Sequence, residues 1–183
     1  MRYSLFLYPE FNPQLLPVKS QLVGTLSEVK FCRKTASTEI LCGGEQLMDF
    51  ITFLGCSPAL ESAQATFAIA IHLYDRITGM GGEAIETIRF PGCKHPLPNT
   101  SELLSNYSER KRWSCPECGQ QGAIEDINWR KSAGFSNLFI EISPIFPKEA
   151  IPSDRLLELL NNTTQSRWNW FYSNSSVLLA AEL

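Results

Sequence analysis

The stretch Thr66-Phe67-Ala68-Ile69-Ala70-Ile71-His72-Leu73-Tyr74 alternates large apolar residues with small or polar ones. Successive side chains of a strand point to opposite faces, so Phe67, Ile69, Ile71 and Leu73 share one face and Ala68, Ala70, His72 and Tyr74 the other. A strand with one strongly apolar face implies a sheet, and that face needs a second layer to cover it.

Covering elements can be read on both sides of this strand. Toward the amino terminus, residues 2–8 form an aromatic and aliphatic strand stopped by Pro9. Residues 14–28 follow, with Leu15, Leu16, Val18, Leu22, Val23 and Leu26 at the spacings of one helix face. Short strands are predicted at Val29–Cys32 and Glu39–Cys42. Gly43-Gly44 breaks the second, and Gln46–Leu54 resumes helical spacing through Leu47, Phe50, Ile51 and Leu54. Toward the carboxyl terminus, a turn at Thr78–Gly82 leads to a strand at Ala84–Phe90. Further strands are expected at Ala123–Trp129 and Leu138–Phe146. Ser153 is placed to cap a helix over Asp154–Asn161 that turns Leu156, Leu157 and Leu160 inward. A last strand, Arg167–Tyr172, sets Trp168, Trp170 and Tyr172 on one side, as cover for a helix. The prediction is an α+β fold in which two or three helices lie on a largely antiparallel sheet, as a single domain over residues 1–183.

Residues 91–121 break this pattern. They lose all periodicity and hold Pro91, Gly92, Pro96, Pro98, Pro116 and Gly119, so they are expected to form an inserted loop without a core. The same loop holds Cys93, His95, Cys115 and Cys118. Two cysteines separated by two residues can aim both sulfurs at one ion, and Cys₃His is a common closed set for structural zinc. Pro116 sets φ after the first of them, and Gly119 can take the left-handed turn after the second. One structural Zn²⁺ per chain is the expected cofactor, with His95 or another cysteine as fourth ligand.

The segment Cys115-Pro116-Glu117-Cys118-Gly119 resembles the knuckle of zinc-ribbon proteins, in which two such turns clamp one zinc. The resemblance covers about residues 91–121. The first half departs from the family pattern, because Cys93 and His95 stand two apart and no glycine follows the histidine. The resemblance implies a clamp and carries no activity with it.

Other chemistry finds less support. The Pro-Cys-x-x-Cys pattern of zinc deaminases fails, because Ser114 precedes Cys115 and Cys93 is followed at the second place by His95. Phosphate-loop fingerprints are missing, and Gly79-Met80-Gly81-Gly82 has the wrong spacing for a dinucleotide site. Cys32, Cys42 and Cys56 read as core thiols and His72 as a hydrogen-bonded, half-buried residue. Lys plus Arg number 16 against 19 Asp plus Glu, a net charge of −3, which argues against strong attraction of the whole molecule to nucleic acid. The amino-terminal apolar run is too short for a signal peptide and no segment is long enough to span a bilayer, so a cytoplasmic protein with reduced thiols is expected. These features predict a non-catalytic, zinc-stabilised adaptor or regulator that binds protein through Arg110, Lys111, Arg112 and Trp113. Two other readings stay open: a nucleic-acid-binding module using the same loop and cluster, and a zinc-dependent hydrolase.

Overall fold

The computed structural model describes residues 3–10, 19–35, 40–55, 67–82, 87–105, 107 and 112–174. Its centre is a six-stranded antiparallel sheet. The strands are β1 (Tyr3–Pro9), β2 (Cys32–Lys34), β3 (Ile40–Gly43), β5 (Ala68–Gly81), β8 (Ala133–Ser143) and β10 (Trp168–Asn174), in the order β10-β1-β8-β5-β3-β2. The register places Leu5 and Ile69 against Ile142, and Leu7 and Ile71 against Ile140. One face is therefore a band of aliphatic residues. Two helices close it: α1 (Lys19–Glu28) through Leu22 and Leu26, and α4 (Asp154–Thr164) through Leu156 and Leu160. With the short helices α2 (Leu47–Phe50) and α3 (Thr100–Ser105), the fold is α+β, as the sequence predicts.

The capped helix forms as expected. Ser153 Oγ accepts from the Leu156 N–H, and the helix runs three residues past the predicted end to a left-handed Gln165. On β10, Trp168 donates from its indole to Thr164 Oγ1 at 2.7 Å and Tyr172 donates to the Ala150 carbonyl at 2.7 Å. Both rings are core, as read from the sequence. On the opposite sheet face Phe6, Phe139 and Phe171 form a small aromatic cluster. There Glu141 is fully buried and accepts from Ser4 Oγ at 2.8 Å, and its other oxygen lies 2.9 Å from His72 Nε2.

Several elements differ from expectation. The strand predicted at Val29–Cys32 begins at Cys32, because Val29 and Lys30 form the turn that ends α1 and the Phe31 N–H returns to the Leu26 carbonyl. The helix predicted over Gln46–Leu54 stops at Phe50. Ile51–Phe53 is instead a strand, β4, paired with β9 (Ala150–Pro152), as its β-branched residues favour. The turn expected at Thr78–Gly82 is the far end of β5, which continues past an irregularity between Leu73 and Thr78. Of Ala84–Phe90, the residues from 87 on carry only an isolated bridge, Arg89 to Pro96, and no strand. Residues 121–129 give β7 (Gln121–Ala123) and then a 3₁₀ turn, Ile124–Asp126, rather than one strand. Leu15, Leu16, Val18, Glu39 and Cys56 lie outside the described residues.

The largest correction concerns residues 91–121, which have a core after all. Ile88, Phe90, Leu104, Tyr107, Trp113, Cys115, Ile124, Ile127, Trp129 and Ala133 make a second buried cluster. It is built on the extended ends of β5 and β8. A Cβ on Gly79 would meet the Leu104 backbone carbonyl at 3.2 Å and Phe135 at 3.2 Å, so the glycine admits α3 against the strand. Tyr107 donates to Glu125 across the cluster, and the Trp129 indole donates to the Ile124 carbonyl at 3.0 Å.

Candidate metal centre

Two turns at the surface of this second cluster carry the candidate ligands. In the later one, the Gly119 N–H returns to the Cys115 carbonyl at 2.9 Å and the Cys115 N–H reaches the Gln120 carbonyl at 2.8 Å. Pro116 opens the bend, and Gly119 takes φ +73°. The turn joins β6 (Arg112–Ser114) to β7, which pair antiparallel.

The earlier turn repeats these bonds residue for residue. The Lys94 N–H returns to the Phe90 carbonyl at 3.3 Å, and the Phe90 N–H reaches the His95 carbonyl at 2.9 Å. Pro91 stands where Pro116 does, Cys93 where Cys118 does, and Lys94 at φ +64° takes the left-handed place of Gly119. The bridge between Arg89 and Pro96 and the bond from the Leu97 N–H to the Ile88 carbonyl flank this turn as β6 and β7 flank the other. Phe90 occupies the position of Cys115. It faces the cluster, where its ring lies 5.3 Å from that of Trp113.

Together the turns bring all four predicted ligands into one group. The ligand atoms of Cys93, His95, Cys115 and Cys118 lie within 4.8 Å of one another. Cys93 Sγ stands 3.6 Å and His95 Nδ1 3.9 Å from Cys115 Sγ. Cys115 is fully buried, Cys93 half-buried, and His95 and Cys118 exposed, so the group opens at the surface with one thiol at its root. This donor set can hold a metal ion.

The electrostatics suit a cation. Burial alone would raise the Cys115 thiol, but N–H groups of Cys118 and Glu117 and the thiols of Cys93 and Cys118 outweigh it and bring it down to about 7. At Cys118 the Gln120 backbone draws the thiol down. Burial, the neighbouring thiols of Cys93 and Cys115 and the charge developing on Cys115 together push it up. Negative charge thus collects first at Cys115 and resists further gathering, the situation a bound cation relieves.

The predicted contact cluster fares differently. Arg110 and Lys111 lie outside the described residues, and Arg112 is exposed at the start of β6. Trp113 is 6% exposed and belongs to the second cluster, which corrects its reading as a surface ring. Its indole lies over Gly122, the residue paired with it on β7, where a Cβ would come within 2.7 Å of the ring. Sequence reading also missed Phe90 and Lys94, although Phe90-Pro91-Gly92-Cys93 repeats the Pro-x-Cys core of Cys115-Pro116-Glu117-Cys118. Cys32 is buried as expected, with its thiol pushed up by burial, and Cys42 is half-buried.

Among the described residues, no helix is long and apolar enough to cross a membrane. No family model, curated protein or solved structure matches this chain.

Proposed function

We propose that this protein is a non-catalytic, zinc-stabilised protein-binding adaptor or regulator of the cytoplasm, its metal clamping a zinc-ribbon-like lobe onto the main sheet. The observation that carries the reading is the repeated turn. Two turns with the same backbone bonds converge four soft and borderline donors, and the deepest of these is also core. Sulfurs about 2.3 Å from a tetrahedral zinc stand about 3.8 Å apart, and the Cys93 and Cys115 sulfurs are 3.6 Å apart. Three thiolates and an imidazole fill the shell of a structural zinc, so the ion's task is to hold the lobe's surface in shape.

The alternative of nucleic-acid binding by the same lobe loses its stacking ring, because Trp113 is buried. A hydrolase would need an open coordination position, which a full Cys₃His set does not leave.

One experiment tests the reading. The full chain is purified from its native host without chelator or metal-affinity resin, and its zinc content and cross-linked partners are measured with and without nuclease. One zinc per chain, and a protein partner that survives nuclease but is lost from Cys115→Ser, is the expected result. Zinc below about a tenth of an equivalent, or a partner that disappears with nuclease, overturns it.

A further inference from the structure

The cleft beside β6 is chemically specific in a way the metal site does not explain. Its volume is about 270 Å³, and its walls include the apolar Phe90, Leu97 and Leu103 and the polar Arg112, Ser114 and Gln121. That is below the ~300–1,000 Å³ of clefts that enclose drug-sized molecules, and it suits one large apolar side chain with its flanking backbone.

Two features describe what would fill it. All three consecutive residues of β6, Arg112, Trp113 and Ser114, line the cleft. Side chains alternate faces along a strand, so a cleft that meets all three runs along the strand's edge. Among the described residues β6 pairs only with β7, and this edge is unpaired. Next, the cleft has one cation and no carboxylate in its lining, and Arg112 makes no ion pair among the described residues.

We propose that this cleft receives an extended acidic peptide segment of a partner protein, added as a strand along β6. One apolar side chain of the segment sits between Phe90, Leu97 and Leu103, and a flanking carboxylate meets Arg112. Main-chain bonds to the β6 edge supply affinity while the pocket and the charge supply specificity. RNA fits less well, because the two rings in the lining, Phe90 and Trp113, are both buried and offer little face for a base to stack on. The inference rests on the protein-binding reading above and narrows it to one surface.

The test follows the Trp113 indole N–H resonance in the zinc-loaded, ¹⁵N-labelled full chain, assigned through bonds and checked with Trp113→Phe. The probes are a capped heptapeptide of Glu and Asp with one central Phe, the same peptide with Ala for Phe, a Lys-for-acid version, and a short oligouridylate. The first peptide should shift the indole and the β6 amides saturably, and the Ala and Lys versions should not. Arg112→Glu, a change at an exposed residue, should weaken binding at least about tenfold while leaving the unbound spectrum in place. Peptide-induced shifts that spare the indole and β6 overturn the cleft but leave a protein-binding function standing. Shifts with oligouridylate alone overturn both. No shift with any probe overturns the cleft, and the partner-capture experiment then decides the broader reading separately.

Discussion

The turns at Phe90–His95 and Cys115–Gln120 share a proline, a cysteine three places in and the same pair of backbone bonds, yet they divide the work differently. In the later turn the first residue is Cys115, both a member of the candidate ligand group and a core residue. In the earlier turn the first residue is Phe90, which gives its whole side chain to the core, and the missing donor is supplied by His95 two residues beyond Cys93. The left-handed place is taken by glycine in one turn and lysine in the other. The backbone of such a turn is thus set by its hydrogen bonds, and the positions within it can be reassigned between packing and coordination.

The sharpest way to break this comparison is at Cys115, which serves both roles. Cys115→Ser removes the buried thiol and should leave metal below about a tenth of an equivalent. Amide exchange should then accelerate across residues 112–129 while β1, β10 and the Leu138–Ser143 part of β8 stay protected, because their core is separate. Trypsin cleavage near Arg110, Lys111 and Arg112 should rise in parallel, and chelating the wild type should produce the same pattern. Loss of protection throughout the main sheet would show that the two clusters unfold as one unit.

A smaller effect is expected at the exposed donor. His95→Ala leaves three thiolates and room for water as the fourth ligand, so the metal should stay bound but exchange faster with a competing chelator. If the turns are equivalent, Phe90→Cys in the His95→Ala background should restore tight binding, because position 90 holds the place of Cys115. Cobalt substitution reads this directly through thiolate-to-metal absorption, which should increase over that of His95→Ala alone. Unchanged absorption would mean that the shared backbone bonds do not carry a shared side-chain direction.

What the sequence revealed follows from how local each signal is. Cys115 and Cys118 were legible because their spacing alone aims two sulfurs at one point, and the Ser153 cap because it acts within one helical turn. The earlier turn was hidden, since Phe for Cys and Lys for Gly remove both residues by which a knuckle is recognised. Gly79, Gly81 and Gly82 read as a turn, but their glycines answer to Leu104, Phe135 and Ser132 packed against them, partners distant in sequence. Trp113 was misplaced for the same reason. Its basic neighbours suggest surface, whereas Gly122 across the pair makes the space that buries it.

The finest distinction between the turns is the residue in the left-handed position, and it should give the smallest effect. Gly119 has φ +73° and nothing within 4 Å of an added Cβ, so Gly119→Ala introduces backbone strain without a clash. It should cost about 1 kcal/mol of lobe stability. Lys94 already bears that strain at φ +64°. Lys94→Gly removes it but adds backbone freedom to the unfolded chain, a term of similar size and opposite sign, so its net change should stay within about 0.5 kcal/mol. Denaturant titration of the zinc-loaded forms, followed through protection of the second cluster, measures both. Equal and large losses from the two substitutions would mean that the Lys94 side chain itself holds the earlier turn, and that the equivalence of the two turns ends at their backbone bonds.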